Sequence, residues 1–255
     1  MTKPERQARA VAAGHLSGFR NISRQRVPRL DFHLHTTWTD GTQSAAEMHE
    51  AAIRAGLEMV LFSEHARRTS SDWFPTFAAE VRRLPQGRCR ALVGVETKVM
   101  DLSGEIDTAS DIVSCCDLVM ASVHRFPGEV GNIHHSRSHT PEQAVDLEFR
   151  LAMAALDNPA VDILGHPFGM SYRRFQIAPP EAKMRALIEK AARTGVAIEI
   201  NVRYHPDPWH LVDWCLEAGA PISLGSNAHA LEDVGRVTRI LEGKEPSWLL
   251  ERPCS

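Results

Sequence analysis

The sequence has few cysteines and no arrangement of them that would indicate a disulfide framework or a cysteine metal site. Its five cysteines are odd in number, and none of them forms a Cys-x-x-Cys pair. Both observations favour reduced, inert thiols. Long apolar runs are also missing: no stretch approaches membrane-spanning length, and Val11–Phe19 is too short for a signal-peptide core. We therefore expect a cytoplasmic protein that makes no contact with a membrane.

The sequence also lacks a strong charge of either sign. Its 29 lysines and arginines face 32 aspartates and glutamates, which gives a formal net charge of -3. A global basic excess, which would favour a nucleic acid as partner, is therefore absent. The exception is local: in residues 1–29 one acid, Glu5, stands among Lys3, Arg6, Arg9, Arg20, Arg24, Arg26 and Arg29. We expect residues 1–29 to form a solvated basic arm, with a nucleic-acid contact as the alternative.

Residues 30–255 contain no linker, repeat or low-complexity tract, which predicts a single domain. Seven short apolar runs are typical of buried strands, namely Leu30–Leu34, Glu58–Phe62, Ala91–Val95, Asp117–Ala121, Val161–Leu164, Val196–Ile200 and Pro221–Leu224. Helical patterns alternate with them, at Ser44–Ala55, Phe74–Leu84, Ile106–Cys115, Pro141–Leu156, Pro180–Thr194, Asp207–Glu217 and Leu231–Leu241. This alternation predicts an α/β fold with a parallel sheet, closed or nearly closed into a barrel of seven units.

Histidine, in contrast, is plentiful, with thirteen residues. His33 and His35 share one face of the first predicted strand, because alternate side chains of a strand point the same way. Two imidazoles in this arrangement can converge on one metal ion. Asp40 follows in an Asp-Gly turn, which would bring a carboxylate back to the end of the strand.

Polar residues that could bind a metal also follow the other predicted strands. In a parallel barrel the carboxyl ends of all strands meet at one face, so residues distant in sequence converge there. Six imidazoles and two carboxylates are expected at this face: His33, His35, Asp40, His65, Glu96, His124, His166 and His229. Their joint occurrence predicts a metal site.

The residue types narrow the choice of metal. Imidazole suits zinc, iron or manganese, carboxylates favour harder ions, and magnesium alone would not require six histidines. Eight ligands exceed one coordination sphere, so we expect two or three divalent ions with Glu96 as a bridge. Such ions activate a water molecule and stabilise the oxygens of a phosphoryl group. Because the sequence has no glycine-rich phosphate loop, the pattern favours hydrolysis over nucleotide-driven transfer.

Taken in order, these motifs resemble those of the PHP family, the polymerase and histidinol phosphatase domain. The resemblance covers about residues 30–243 and rests on Asp31-Phe32-His33-Leu34-His35-Thr36, Ser63-Glu64-His65, Gly94-Val95-Glu96, Ser122-Val123-His124, Gly165-His166-Pro167 and Gly225-Ser226-Asn227-Ala228-His229. It implies a distorted (β/α)7 TIM-like barrel with up to three metal ions at the C-terminal face of the strands.

The resemblance also implies how the ligands divide among the ions. The implied sets are His33, His35 and Glu96 for one ion, Asp40, His65 and His229 for a second, and Glu96, His124 and His166 for a third. We expect the second set, Asp40, His65 and His229, to be catalytic as well.

One position departs from the family pattern. Where the family has Asp in the motif Gly-Ser-Asp-Ala-His, this chain has Asn227. Its carbonyl oxygen could still bind a metal ion, but a neutral amide cannot act as a base. The departure bears on the ion that His33 and His35 would hold.

Four arginines are candidates for binding the substrate. Arg125 directly follows His124, Arg203 lies just beyond the sixth predicted strand, and Arg173 and Arg174 lie in the segment after His166. The guanidinium group suits bidentate contacts with phosphate oxygens. Arginines in three segments at one mouth of the barrel therefore favour an anionic substrate. The alternative is that these arginines are solvated loop residues.

Together these features predict a phosphoric ester hydrolase that acts on a small phosphomonoester through metal-activated water, as a histidinol phosphatase does. Two alternatives remain open. One is a phosphodiesterase or 3′-5′ exonuclease acting on nucleotides or DNA, which the basic arm favours and the near-neutral charge disfavours. The other is a metal-binding domain without catalysis, for which Asn227 is the only indication.

Overall fold

The computed structural model describes residues 22–129 and 139–246, so most of the predicted basic arm lies outside the described residues. Seven strands form one parallel sheet in the order of the sequence. They are β1 (Leu30–Leu34), β2 (Met59–Glu64), β3 (Arg90–Lys98), β4 (Leu118–Ser122), β5 (Ile163–Leu164), β6 (Ala197–Asn201) and β7 (Ile222–Gly225). The predicted α/β barrel of seven units is confirmed, and the division into an arm and a barrel domain stays a prediction.

Helices cover the outside of the sheet. They are α1 (Ala45–Arg54), α2 (Phe74–Arg83), α3 (Ser110–Cys115), α4 (Pro141–Ala155), α5 (Gly169–Phe175), α6 (Glu181–Thr194), α7 (Pro208–Ala218) and α8 (Arg236–Leu241), with a 3-10 turn at Leu231–Asp233. No helix in the described ranges is both long enough and apolar enough to cross a membrane.

Two helices begin with a reciprocal pair of capping hydrogen bonds. Ser44 caps α1, its hydroxyl accepting a hydrogen bond from the Glu47 backbone while the Glu47 carboxylate accepts one from the Ser44 backbone. Thr140 and Gln143 make the same reciprocal pair at α4, where Pro141 occupies the first turn. Each pair satisfies backbone N–H groups that the first helical turn would otherwise leave without partners.

Two helical segments are shorter than predicted. Only Ser110–Cys115 of the predicted helix Ile106–Cys115 is helical, because Ile106 pairs in antiparallel fashion with Val99 just beyond β3. The predicted helix Leu231–Leu241 is interrupted at Gly235, which has a φ of 73° and separates the 3-10 turn from α8.

One helix was missed, and one strand is longer than predicted. Helix α5 follows Phe168, whose φ of 64° is left-handed, and no side chain caps it, so the sequence carries no start signal. Strand β3 continues to Lys98 rather than ending at Val95. Glu96 and Lys98 therefore both belong to a regular strand and project from the same face.

The barrel closes between β1 and the residues that follow β7. The backbone N–H of His35 donates to the Ala228 carbonyl and the N–H of Ala228 donates to the His33 carbonyl, both at 2.9 Å. The buried carboxylate of Asp31 accepts hydrogen bonds from the backbones of Ser226, at 2.9 Å, and Gly235, at 2.8 Å. This carboxylate therefore ties the first strand to both segments that follow the last one.

We expect Asp31→Asn to destabilise the fold, because its amide group would place an N–H donor against a backbone N–H donor in a buried position. The expected loss in the free energy of unfolding is about 1.5–3 kcal/mol. Urea denaturation followed by circular dichroism measures it. The matched control is Asp213→Asn, which removes an exposed ion pair with Arg24 and should cost no more than about 1 kcal/mol. Equal losses in the two variants would contradict the role assigned to Asp31.

Candidate metal centre

Six imidazoles lie together at the C-terminal ends of the strands. Neighbouring ring centroids are between 4.5 and 5.7 Å apart. The cluster consists of His33, His35, His65, His124, His166 and His229. The parallel sheet explains the convergence, because each ring comes from the end of a strand or from the residues directly after it.

The carboxylate of Glu96 lies at the centre of the cluster and is 2% exposed. Its Oε1 atom is 2.9 Å from Nε2 of both His124 and His166. Its Oε2 atom is 3.1 Å from Nε2 of His33, 3.4 Å from Nε2 of His35 and 3.5 Å from Nδ1 of His65. The two oxygens therefore face two different groups of imidazoles, which is the arrangement a bridging carboxylate requires.

Asp40 forms a second, more open group. Its Oδ2 atom is 3.3 Å from Nε2 of His229 and 3.6 Å from Nε2 of His65, and its Oδ1 atom is 3.8 Å from Nδ1 of His35. The Asp40 side chain is 54% exposed, against 25% for His65 and His229. This side of the cluster faces the open mouth of the barrel.

A buried carboxylate stabilises the turn that carries Asp40. Glu64 accepts hydrogen bonds from the backbone of Thr36 at 2.8 Å, from the Thr36 hydroxyl at 2.6 Å and from the Thr39 hydroxyl. Burial raises the pKa of Glu64 to about 7, against the opposing effect of these hydrogen bonds. Gly41 completes the turn, because a Cβ there would collide with the carbonyl of His35.

A second buried carboxylate, Glu199 on β6, orients two of the imidazoles. Its Oε1 atom is 2.6 Å from Nδ1 of His33, and its Oε2 atom accepts a hydrogen bond of 2.5 Å from the backbone N–H of His166. His166 has a φ of 23°, a conformation that costs energy for a residue other than glycine and must be held in place. Gly225 makes room for Glu199, since a Cβ at this position would overlap Oε1.

The electrostatics of the cluster differ from one side chain to the next. Burial alone would lower the pKa of His33, but the carboxylates of Glu96 and Glu199 outweigh it and raise that pKa well above its ordinary value. Burial together with the neighbouring His65 lowers the pKa of His35 well below its ordinary value. Burial would raise the pKa of Glu96, but His124 and His33 outweigh it, so its pKa lies well below the usual range and the carboxylate is ionised.

These side chains fit metal ions by their chemistry. When His33 is neutral and its Nδ1 donates to Glu199, Nε2 carries a lone pair that faces Oε2 of Glu96, another acceptor, so a cation between the two atoms, either a proton or a metal ion, would suit both. Among the described residues, several buried polar atoms have no hydrogen-bond partner: Nε2 of His33, both ring nitrogens of His35, Nδ1 of His166 and Oδ1 of Asn227. Three ligand groups have their atoms within 4.8 Å of one another: His33, Glu96 and His166; His35, Asp40 and His65; and His65, Glu96 and His124.

A pocket of about 870 Å³ opens over the cluster. Asn227, with a φ of 50°, lines this pocket, as do three of the four candidate arginines, Arg125, Arg173 and Arg203. The structure does not bring Arg174 there. Its guanidinium group forms a two-pronged ion pair with Glu129, with both distances 2.8 Å, and its side chain is 6% exposed. Adjacent residues of a helix point in different directions, so α5 presents only Arg173 to the pocket.

Sequence reasoning missed three buried carboxylates that support the cluster, Asp31, Glu64 and Glu199. Each lies in or at the end of an apolar strand. Because a carboxylate buried in a strand must be paired or hydrogen-bonded, its presence in such a run is the signal that could have identified it.

The sequence matches one protein-family model and is similar to several known proteins. The family model for the PHP domain matches residues 31–203. The DNA polymerase/3'-5' exonuclease PolX of Bacillus subtilis (strain 168) is 30% identical over 213 residues, which are 79% of this chain but only 34% of PolX. A probable phosphatase of Clostridium novyi (strain NT) is 27% identical over 224 residues, which are 84% of each chain.

Two solved structures share the fold. A structure from Listeria monocytogenes has a TM-score of 0.67 at 18% identity. The alignment covers 81% of this chain and 97% of the Listeria chain. The histidinol phosphate phosphatase of Lactococcus lactis subsp. lactis Il1403, complexed with zinc, L-histidinol and phosphate, has a TM-score of 0.58 at 20% identity. The alignment covers 84% of this chain and 92% of the Lactococcus chain.

We expect the purified protein to bind more than one divalent transition-metal ion per chain, because its ligand atoms exceed one coordination sphere. Glu96→Ala should lower the number of bound ions more than any single histidine-to-alanine change, since both Glu96 oxygens face imidazoles. Inductively coupled plasma mass spectrometry after reconstitution with zinc, manganese or iron measures the stoichiometry. Glu50→Ala, at an exposed position on α1, is the control. A stoichiometry of one ion or fewer in the unaltered protein would contradict a multinuclear centre.

Proposed function

The chain belongs to the PHP domain family, and from this premise we propose that it hydrolyses a small phosphomonoester with the help of two or three divalent metal ions. The observation that carries the proposal is the position of Glu96, a buried carboxylate between two groups of imidazoles at the base of an open pocket. Such ions, when bound, lower the pKa of a coordinated water and stabilise phosphoryl oxygens.

The proposed ligand sets follow the shortest contacts between carboxylates and imidazoles. Oε2 of Glu96 joins His33 and His35, Oε1 joins His124 and His166, and Oδ2 of Asp40 joins His65 and His229. Glu199 fixes the tautomer of His33 by accepting its Nδ1–H, so that Nε2 is left to bind a metal.

Asp40, His65 and His229 are the proposed catalytic residues. They are partly exposed, as His124 is, whereas His33 and His35 are fully buried, so a substrate in the pocket can reach them. An imidazole or carboxylate here could hold the proton that the leaving alcohol must receive. Arg125, Arg173 and Arg203 line the same pocket and would bind the phosphate oxygens by charge-assisted hydrogen bonds.

The relatives support this proposal and also favour one alternative. A probable phosphatase is matched over 84% of its length, and a fold neighbour was solved with zinc, L-histidinol and phosphate. PolX is named as a DNA polymerase/3'-5' exonuclease, which makes 3'-5' exonucleolytic cleavage of DNA the second candidate function. The near-neutral overall charge of this chain disfavours it.

A screen of phosphorylated metabolites with the metal-reconstituted protein tests the proposed function. We expect phosphate release from a small phosphomonoester, with loss of the activity on chelation and its return on addition of metal. Glu96→Ala is expected to lack activity. Stronger cleavage of a single-stranded oligonucleotide than of any monoester would support the exonuclease instead. Full metal occupancy without hydrolysis of either substrate class would indicate a metal-binding domain without catalysis.

We expect Asn227→Asp to raise kcat, because a carboxylate would add a base and a negative charge where the buried amide oxygen has no hydrogen-bond partner among the described residues. The backbone conformation, with a φ of 50°, is one that Asp tolerates as well as Asn. A gain of about tenfold or more is expected if the carboxylate acts as a general base.

Parallel measurement of kcat and metal stoichiometry decides this prediction. Asn158→Asp is the matched control, since Asn158 lies outside the pocket and bonds to the Gly104 carbonyl. Equal turnover and equal metal content for Asn227→Asp and the unaltered protein would show that residue 227 acts neither as a base nor as a metal ligand.

A further inference from the structure

The walls of the pocket carry more positive than negative charge even without metal ions. Among the residues that the structure describes, and apart from the proposed ligands Asp40 and Glu96, two acidic side chains line the pocket, Asp107 and Glu129. The described lining includes five basic side chains: Arg67, Lys98, Arg125, Arg173 and Arg203. A single phosphoryl group would not need so many cations around a centre that also binds divalent ions.

Both acidic wall residues already have basic partners. Glu129 is 3% exposed and forms its ion pair with Arg174. Asp107 is 17% exposed, and its carboxylate lies 3.8 Å from Nζ of Lys98. A substrate with an ammonium group would therefore have to compete with an arginine or a lysine for either carboxylate. Histidinol phosphate, which carries such a group, does not suit these walls.

The basic residues form two groups at different parts of the mouth. Arg125, Arg173 and Arg203 belong to the segments that follow β4, β5 and β6. Arg67 lies in the segment that follows β2, two residues after His65, and Lys98 is the last residue of the neighbouring strand β3. Strand β3 carries Glu96, so the second group lies beside the proposed bridge.

Strand geometry places Lys98 close to the metal centre. Lys98 and Glu96 are two residues apart on one strand, so their side chains share a face and their Cα atoms are about 7 Å apart. A lysine side chain easily spans that distance. Its ammonium group can therefore meet a substituent of a substrate whose phosphate lies over Glu96.

Arg67 differs from the arginine that follows it. Arg68 is occupied, since its guanidinium group lies 2.6 Å from the Glu105 carboxylate and donates to the Ile106 carbonyl at 2.8 Å. The exposed Arg67 side chain has no hydrogen bond or ion pair within the described ranges, and it lines the pocket. Its guanidinium group is thus available for an anion.

We propose that Arg67 and Lys98 form a second anion subsite, which binds a carboxylate or phosphate on the leaving group of the substrate. The inference rests on the proposed phosphatase function and narrows its substrate class to phosphomonoesters with an additional anionic group. In this arrangement the arginines after β4, β5 and β6 contact the phosphate that is cleaved, and the β2–β3 pair selects the alcohol that leaves.

Three substrates that differ only in their terminal group test the subsite. They are phosphoglycolate with a carboxylate, 2-hydroxyethyl phosphate with a neutral hydroxyl, and O-phosphoethanolamine with an ammonium. For the metal-reconstituted protein we expect kcat/KM to fall in this order, with about a tenfold preference for phosphoglycolate over the neutral ester. Equal values, or a preference for O-phosphoethanolamine, would overturn the subsite.

Variants that remove the charge but keep a side chain of similar length show which residues cause the preference for phosphoglycolate. Arg67→Met and Lys98→Met should each raise KM for phosphoglycolate about tenfold, change 2-hydroxyethyl phosphate less than twofold and leave the metal content unchanged. Lys98→Met should also raise kcat/KM for O-phosphoethanolamine, because it releases the Asp107 carboxylate. Lys98→Arg should retain the original order of the three substrates. Arg90→Met, at the exposed opposite end of β3, is the control. An equal loss on all three substrates would assign these residues to the cleaved phosphate and overturn the inference.

Failure of the proposed function would be recognised separately. If the metal-reconstituted protein cleaves none of the three esters and no other monoester, the phosphatase proposal fails. Calorimetric titration with phosphoglycolate and O-phosphoethanolamine then tests the subsite by binding alone. Tighter binding of phosphoglycolate that is lost in Arg67→Met and Lys98→Met supports the subsite, and equal affinities overturn it.

Discussion

The carboxylate of Glu96 is buried and ionised, and the rest of the site is arranged around the positive charge that it requires. A lone ionised carboxylate is costly to bury, so it must be surrounded by cations or by hydrogen-bond donors. Five imidazole nitrogens approach its two oxygens within 3.5 Å. They come from the ends of β1, β2, β4 and β5, which the parallel sheet places on either side of β3 and its carboxylate.

A second layer of buried carboxylates links this cluster to the architecture of the barrel. Asp31 ties β1 to the segments after β7, Glu64 holds the turn that carries Asp40, and Glu199 holds both the ring of His33 and the strained backbone of His166. Each accepts hydrogen bonds from at least two groups, which keeps it satisfied away from water. Their negative charge would also offset part of the charge of bound cations, so the same residues serve closure and electrostatics.

The barrel and the ligand cluster could be predicted because each ligand type recurs just after an apolar run, and parallel strands end at one face. What the sequence could not reveal depends on contacts between segments. Glu199 lies inside an apolar run, and its role depends on the contact that its carboxylate makes with the ring of His33, which is distant in sequence. Arg173 and Arg174 are adjacent and chemically identical, yet helix α5 directs one toward the pocket and the other into an ion pair with Glu129. Helix α5 itself has no capping side chain, in contrast to α1 and α4.

The seam of the barrel lies between the first strand and the last, where β1 meets Ala228. The ligand cluster crosses this seam, since His35 and His229 are ring neighbours although they come from opposite ends of the described chain. An ion held by Asp40, His65 and His229 would act as a cross-link that closes most of the polypeptide into a loop. The coordination sphere would then be completed only when folding has brought the two ends together, and it would oppose any opening of the seam.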